Sequence, residues 1–322
     1  MKKRNMILIS GMVVLTLITG IFIGRTIVTT KDKVERKTSF TTVDKTDKTK
    51  KPEKNQELDH STGTDVTMQD GLKAITIYDI EDGYMQVPYQ ETVALHSYHW
   101  ENLLEENGLK YYMDETGNKS KVGIDVSYFQ QTVDWNKVKA AGIDFVILRM
   151  GYRGYGEDGK LVVDEKFHSY LQEAQSAGLG VGVYFFSQAI NEEEAKEEAE
   201  FVYQQCETYE LSYPVVFDTE KIKGDTARTD DLKPEELTKI TIAFCEKIKE
   251  YGYEPMIYAN AKWLTTKLDL SKLSQYKIWY ADYQEKPLYP YEFQMWQYTE
   301  KGQIEGIDGT VDLNIWFPQE GK

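Results

Sequence analysis

The chain from Val122 onward alternates short apolar runs with segments of helical spacing. Apolar runs of this length, bounded by turn residues, predict buried strands. Eight such runs predict strands at residues 122–126, 145–150, 180–186, 214–218, 255–259, 278–281, 293–297 and 311–315. The first four intervening segments carry helical spacing, and they include residues 164–178, 191–208 and 233–251. The last connections are too short for full helices.

This alternation of strands and helices is typical of an α/β fold built around a parallel sheet. Eight strands, with helices mainly in the first part, predict an irregular (β/α) TIM-like barrel over residues 121–322. A doubly wound open sheet is the alternative fold. It is disfavoured because no glycine-rich phosphate loop follows the first strand.

The N-terminal residues carry a different pattern. A basic cluster at residues 1–4 precedes an apolar run over 6–24, which is about long enough to cross the roughly 30 Å hydrocarbon core of a bilayer. We expect residues 1–28 to be a cytoplasmic tip and single-pass transmembrane anchor, with the rest of the chain outside the cell. A cleaved signal peptide is the alternative, but the run lacks an A-x-A-like end.

Two further segments separate this anchor from the barrel. Residues 29–70 are rich in Lys, Thr, Asp and Glu, a composition that predicts a flexible linker because it buries too little apolar surface to fold. Hydrophobic residues return over 71–120, with a turn signal at 114–118. This range is predicted as a small strand-rich flanking segment that packs beside the main domain.

Charge and rare residues narrow the function classes. The formal net charge of −15 argues against a nucleic-acid partner, because phosphates are bound by clustered Lys and Arg. Neither the four histidines nor Cys206 and Cys245 show the spacing of metal ligands, and no cofactor is expected. The sequence leaves two alternatives for these cysteines: they form a disulfide, or they are two separate buried thiols. No obligate protein partner is indicated.

Acidic residues follow several of the predicted strands. They are Asp125 after the first strand, Asp218 and Glu220 after the fourth, Asp282 after the sixth, and Asp312 on the eighth. Barrel enzymes place their chemistry at the carboxyl ends of the strands. We therefore expect these five carboxylates to converge on one site.

Asp218 and Glu220 form the most informative pair. They end an apolar strand at positions i and i+2, and this spacing directs both side chains to one face. Crowding two like charges raises the pKa of one of them, as a general acid requires. Glu220 has the longer reach and is the expected acid, whereas Asp218 is expected to stay ionised and to stabilise positive charge on a substrate.

Ordered motifs across residues 122–317 show that the domain resembles the glycoside hydrolase family 25 muramidases. The motifs are Gly123-Ile124-Asp125-Val126-Ser127, Val133-Asp134-Trp135, Gly182-Val183-Tyr184-Phe185-Phe186, Phe217-Asp218-Thr219-Glu220, Trp279-Tyr280-Ala281-Asp282-Tyr283, Met295-Trp296-Gln297-Tyr298 and Val311-Asp312-Leu313-Asn314. One departure is Phe129-Gln130-Gln131, where family members often carry His-Gln-Gly.

The resemblance implies hydrolysis, without metal or cofactor, of the β-1,4 bond between N-acetylmuramic acid and N-acetylglucosamine in bacterial peptidoglycan. By resemblance, the active-site carboxylates are Glu220 as acid, Asp218 as its partner, Asp125 and Asp312. The residues expected to line the sugar groove are Asp282, Tyr184, Tyr258 and Trp296. The resemblance leaves open a retaining, inverting or substrate-assisted course. A catalytically silent glycan-binding protein and a glycosidase for a related polymer such as chitin are the alternative functions.

Overall fold

The computed structural model describes residues 66–69, 71–156, 158–222 and 224–318. The predicted anchor over 1–28, and the predicted linker apart from its last residues, lie outside the described residues. Within the described ranges, no helix has both the length and the apolar character needed to cross a membrane.

The flanking segment contains two small antiparallel sheets. Three strands form the first sheet, in the order β1 (Val66–Gln69), β2 (Leu72–Asp79) and β3 (Gly83–Pro88). The second sheet is a hairpin of β4 (Leu103–Glu106) and β5 (Leu109–Tyr112). Strand β1 lies inside the range predicted as a linker, so regular structure begins earlier in the sequence than residue 71.

Eight strands form a closed barrel, as the sequence predicts. They are β6 (Lys121–Val126), β7 (Phe145–Arg153), β9 (Gly180–Phe186), β10 (Val215–Asp218), β11 (Pro255–Asn260), β12 (Lys277–Ala281), β13 (Met295–Gly302) and β14 (Val311–Trp316). A short strand, β8 (Leu161–Val163), pairs with β7 outside this ring. Seven barrel strands are parallel, and β14 closes the ring by pairing antiparallel with both β13 and β6.

Helices lie in all four connections that the sequence predicts as helical, and one short helix in a later connection is an addition. Helices α2 (Phe167–Ser176), α3 (Glu192–Cys206) and α4 (Pro234–Glu250) lie in the three predicted ranges. Helix α1 (Trp135–Ala140) begins after Asp134, whose side chain accepts a hydrogen bond from the backbone N–H of Lys137. Helix α5 (Ala261–Thr266) begins in the same way after Asn260. Such capping side chains satisfy N–H groups that have no partner within the helix.

Large apolar side chains fill the lower part of the barrel. Phe145, Val216, Met256, Trp279 and Met295 belong to one buried cluster that these strands direct inward. Gly123 makes room for this cluster, because a Cβ atom there would lie 2.3 Å from the ring of Phe145. This packing forms a solid floor, as is usual in barrels of this kind. The predicted acids lie above it, toward the carboxyl ends of the strands.

Aromatic rings join the flanking segment to the barrel. Tyr98 stacks on Phe317 at a centroid distance of 4.0 Å, and Trp100 stacks on Phe293 at 6.4 Å. The hydroxyl of Tyr98 donates a hydrogen bond to the carbonyl oxygen of Phe293. The two segments therefore share one continuous core.

Cys206 in α3 and Cys245 in α4 are both free and buried. Burial raises the pKa of the Cys206 thiol to about 12 and that of Cys245 above its ordinary value. Of the two possibilities that the sequence leaves open, the structure has the buried thiols.

Candidate active site

A cavity of about 610 Å³ opens at the carboxyl ends of the barrel strands. Four of the five predicted carboxylates line it, namely Asp125, Asp218, Glu220 and Asp312. Each comes from a strand or the residues just after one, and Asp125 and Asp312 are direct partners across β6 and β14. The expected convergence of these four acids is therefore found.

Two amide side chains hold Asp125 in place. Its Oδ2 accepts hydrogen bonds from Nε2 of Gln297 at 2.9 Å and from Nδ2 of Asn314 at 2.8 Å. Both amides are themselves oriented, because the indole N–H of Trp279 donates to Oδ1 of Asn314, and the hydroxyl of Tyr258 donates to Oε1 of Gln297. An indole N–H can only donate, so this contact fixes which end of Asn314 faces Asp125.

Asp125 and Asp312 share a hydrogen bond in which Asp312 is the protonated partner. Burial, the charge of Asp125 and this hydrogen bond raise the pKa of Asp312 to about 9. Burial also raises the pKa of Asp125, although the hydrogen bonds from Asn314, Gln297 and Asp312 oppose that rise. One proton is thus held between two carboxyl groups, as expected for acids that cannot both ionise in a buried site.

Asp218 is the most deeply buried member of the second pair. It is 4% exposed, and its Oδ1 atom makes no hydrogen bond to any described residue. Burial, followed by the charges of Glu220 and Asp125, raises its pKa well above the ordinary value, while Arg149 opposes the rise. This shift opposes the ionised state that the sequence predicts for Asp218, because a carboxyl group near the floor of the cavity loses much of its solvation.

Glu220 lies beyond the end of β10 and is half-buried at the wall of the cavity. The backbone before it is held on both sides. The N–H of Ser187 donates a hydrogen bond to the carbonyl oxygen of Asp218. The N–H of Thr219 donates to the carbonyl oxygen of Tyr258 at 3.4 Å. The two acids are thereby kept at different depths of one cavity.

The predicted groove residues divide into two pairs. Tyr184 and Tyr258 line the cavity, as expected. Asp282 and Trp296 do not belong to its lining. Trp296 is fully buried and donates its indole N–H to the carbonyl oxygen of Asp282 at 2.7 Å. The carboxylate of Asp282 accepts hydrogen bonds from the hydroxyl of Tyr280 and the N–H of Gln284, and burial raises its pKa to about 6.

Strand alternation explains this correction. Side chains point to opposite faces at successive positions, so in β13 Gln297 faces the cavity and Trp296 faces away from it. In β12 the side chains of Trp279 and Ala281 face the cavity. Asp282, two positions after Tyr280, lies on the opposite face with it. The prediction used the position of Asp282 after its strand but not its face.

Several residues of the site were not predicted from the sequence. Gln297, Asn314 and Trp279 hold Asp125, and Tyr283 adds a second hydroxyl donor to Gln297 at 3.0 Å. Arg149 lies on β7 with its guanidinium bound to Asp164 at 2.8 Å. A charged or amide residue within an apolar strand is the signal that could have identified Arg149 and Gln297, since such groups are seldom buried without a partner.

The departure at 129–131 alters one edge of the site. Phe129 is 66% exposed and lines the cavity, and its ring packs on Tyr128 at 4.1 Å. Gln131 adopts a positive φ of 54°, a conformation that glycine takes at less cost. Gln131 therefore has a backbone conformation that favours glycine, although it carries a larger side chain.

Comparison with known proteins agrees with this geometry. The sequence pattern of the glycosyl hydrolases family 25 matches residues 124–307, more than half of the chain. The chain belongs to this family. It is accordingly a glycoside hydrolase by descent, with its acids at the position where barrel enzymes act.

Two relatives and two solved structures illustrate the match. YegX of Escherichia coli K12 is 30% identical over 198 residues, which cover 60% of this chain and 68% of YegX. An autolytic lysozyme of Clostridium acetobutylicum is 23% identical and matches 60% of this chain and 54% of its own length.

The family 25 glycosyl hydrolase of Bacillus anthracis has a TM-score of 0.53 at 22% identity, covering 67% of this chain and 96% of that protein. The autolysin LytC of Streptococcus pneumoniae, solved with a synthetic peptidoglycan ligand, has a TM-score of 0.54 at 24% identity, covering 78% of this chain and 58% of LytC. At these identities the structural likeness shows the fold.

Proposed function

We propose that this chain is a muramidase that hydrolyses the β-1,4 bond between N-acetylmuramic acid and N-acetylglucosamine in peptidoglycan. The observation that carries the proposal is the set of four carboxylates around one open cavity, with Asp218 and Glu220 at different depths. The names of two similar proteins, an autolytic lysozyme and an autolysin solved with a peptidoglycan ligand, support this substrate class.

In the proposed reaction, Glu220 donates a proton to the glycosidic oxygen as the bond from the anomeric carbon to that oxygen breaks. Water then forms a bond to the anomeric carbon and releases one proton, which replaces the proton that Glu220 has given to the leaving oxygen. Glu220 suits the donor role because it is half-buried at the cavity wall, where a glycan can reach it. Asp218 supplies negative charge beside the positive charge that develops on the sugar ring or its N-acetyl group.

The two acids share this work as a coupled pair. The raised pKa of Asp218 favours retention of one proton by the pair, and interacting groups titrate together rather than one by one. In the productive form that proton resides on Glu220 and the negative charge on Asp218. Asp125 and Asp312 hold a second proton on the opposite side of the cavity.

Aromatic side chains provide flat surfaces for sugar rings. Tyr258 is half-buried in the cavity lining, and Phe129 is exposed at the rim. Apolar faces of sugar rings pack well on such surfaces, and the phenol hydroxyl can also bind a sugar oxygen. The site thus combines acids with a polysaccharide platform.

The test compares Glu220→Gln with Asp308→Asn, a matched loss of one carboxylate in an exposed loop. Purified peptidoglycan is incubated with each protein, and released fragments are identified by mass spectrometry. Loss of the acid should lower kcat at least about 100-fold, whereas Asp308→Asn should match the wild type. New reducing ends on N-acetylmuramic acid identify the bond. Near-normal activity of Glu220→Gln would contradict its assignment as the acid.

The alternatives have distinct outcomes in the same assay. Glycan binding by the wild type without new reducing ends would favour a catalytically silent binding protein. Cleavage of chitin in preference to peptidoglycan would favour the related-polymer glycosidase. A panel with both polymers therefore separates three functions.

We also propose that residues 1–28 anchor the protein in the bacterial cell membrane, with the barrel on the cell-wall side. The support is the basic cluster at 1–4 followed by the apolar run at 6–24. The full chain should sediment with membranes and be released by detergent but not by high salt, whereas a chain that begins at residue 29 should not sediment. Release of the full chain by salt alone would contradict the anchor.

A further inference from the structure

We infer that the turn between β2 and β3, residues 79–83, forms one wall of the glycan-binding cleft and contributes to substrate affinity. The inference rests on the proposed function. It gives the flanking segment a binding role, where the sequence predicts only packing. The turn lies outside residues 124–307, the range that matches the family, so the family pattern does not supply it.

The position of the turn is the first observation. Asp79, Ile80 and Glu81 line the same cavity of about 610 Å³ as Asp218 and Glu220. The remaining walls come from barrel strands and the loops that follow them. A polymer that reaches the acids from this side must therefore pass the turn.

The sheet that carries the turn is fixed to the barrel. Helix α5, which follows β11 at the mouth of the barrel, packs against both β2 and β3. The sheet buries Ile75, Ile77 and Val87 in the common core. Tyr84 adds a contact from its hydroxyl to Oε1 of Gln284 at 3.4 Å. Burying these three aliphatic side chains stabilises the attachment of the sheet to the barrel.

The shape of the turn is also fixed. Asp79 is 2% exposed, and its Oδ1 accepts hydrogen bonds from the backbone N–H groups of Glu81 at 3.0 Å and Asp82 at 2.8 Å. Gly83 ends the turn with a φ of 74°, which glycine adopts without strain. Asp79 is thus a positioning residue that presents Ile80 and Glu81 to the cavity, and a preformed wall costs little ordering when a ligand binds.

Two ion pairs connect the turn to residues of the cavity. Glu81 lies 3.3 Å from the ammonium group of Lys221, the residue directly after Glu220. Asp82 pairs with Lys262, which also lines the cavity. Exposed ion pairs contribute little to stability, so these two pairs do not hold the turn in place. Their consequence is electrostatic, because each lysine neutralises an acidic side chain of the turn.

This wall matches the chemistry of an amino-sugar chain. Ile80 offers an apolar contact for the C–H face of a sugar ring. Glu81 and Lys221 provide, side by side, an acceptor and a donor for hydroxyl and acetamido groups, without a net charge that would repel or select an ion. Hydroxyl and acetamido groups are polar groups that both sugars of the strand present. The occupant assigned to this wall is therefore the glycan strand.

The experiment uses the full chain and the double variant Ile80→Ala/Glu81→Ala. The substrates are peptide-free glycan strands of alternating N-acetylmuramic acid and N-acetylglucosamine, and kcat and KM are measured separately. We expect KM to rise about fivefold or more with kcat changed much less, because uniform binding is lost. Glu91→Ala is the matched control, since it removes a Lys–Glu ion pair of the same segment that lies outside the cavity lining.

A second measurement separates this inference from the proposed function. Binding of the same strands is measured by calorimetry with the variants placed in the Glu220→Gln background. Weaker binding by the double variant, with Glu91→Ala unaffected, supports the wall even if no cleavage is found in the wild type. Unchanged KM and unchanged affinity in a folded double variant would overturn it. Asp79→Asn, which keeps an acceptor oxygen, should bind better than Asp79→Ala.

Discussion

Asp312 donates a hydrogen bond to Asp125 across the antiparallel pair of β14 and β6. The two side chains come from the last and the first strands of the barrel. Because both are buried near other acids, a single proton between them is more favourable than two negative charges. This shared proton makes the stability of the protein sensitive to pH.

Asp312→Asn should stabilise the protein at alkaline pH. The folded protein holds the Asp312 proton up to about pH 9, whereas the unfolded chain releases it near pH 4. Between these values the folded state binds more protons, so the free energy of unfolding falls as pH rises. An amide donates to Asp125 without this cost, and we expect a gain of about 2 kcal/mol at pH 8.

Urea unfolding of Asp312→Asn and the wild type at pH 5 and pH 8 checks this prediction. The gain should be smaller at pH 5, because this pH lies close to the pKa of the group in the unfolded chain, so retaining the proton in the folded state then costs little free energy. Exposed Asp308→Asn is the control for a general charge effect. A gain of the same size at both pH values would show that Asp312 does not carry the shared proton.

Gln297→Leu should reduce both stability and activity. The change removes a donor from Asp125 and the acceptor for the hydroxyls of Tyr258 and Tyr283. Leaving buried polar groups unpaired costs about 1–3 kcal/mol for each. The pKa of Asp125 should also rise, because the lost hydrogen bond favours its ionised form.

The measurements are urea unfolding and kcat/KM on peptidoglycan fragments. Gln303→Leu makes the same change at an exposed position and should have little effect on either. Wild-type kcat/KM in Gln297→Leu would mean that the orientation of Asp125 does not matter to the reaction.

Trp296→Phe should destabilise the fold without altering glycan affinity. The indole N–H that binds the carbonyl oxygen of Asp282 would be lost, at a cost of about 1–3 kcal/mol. Trp279→Phe is the matched change at a cavity-lining tryptophan. It frees Oδ1 of Asn314 and should lower kcat/KM. If Trp296→Phe raised KM as much as Trp279→Phe, the sequence-based assignment of Trp296 to the groove would be restored.

Arg153 and Glu198 form a buried pair at 2.8 Å that should show strong coupling. The hydroxyl of Ser187, just after β9, donates to the same carboxylate, and burial raises the pKa of Glu198 to about 7. Arg153→Met leaves this carboxylate without its cation and should cost about 3–5 kcal/mol at pH 8.

The cost of Arg153→Met should be smaller at pH 5, because a buried carboxyl group can then take up a proton. The double variant Arg153→Met/Glu198→Leu should lose less stability than the sum of the two single variants, measured by urea unfolding. Additive losses would show that the two side chains act independently.

The sequence predicts the barrel well because strand burial leaves a strong pattern. The run from Gly180 to Phe186 is apolar on both faces and coincides with β9, as expected for a parallel strand covered by helices. Because these strands are apolar on both faces, the sequence pattern does not show which face each side chain occupies. Trp296 and Gln297 are both buried, so burial alone could not show which of them faces the cavity.

The site was predicted in part for a related physical reason. Acids after strands, such as Asp218 and Glu220, stand out against apolar neighbours and were found. The amides that hold Asp125 come from distant positions in the chain, and only the closed barrel brings Gln297 and Asn314 to it. The turn beginning at Asp79 reaches the cavity through tertiary packing that no local pattern records.

The closing strand β14 has a consequence for synthesis. It carries Asp312 and Asn314, and both contact Asp125 from the first barrel strand. A nascent chain still lacking β14 has neither the shared proton nor one of the two amide donors to Asp125. We therefore expect a copy that ends before β14 to lack an ordered Asp125 and to be inactive as a glycoside hydrolase.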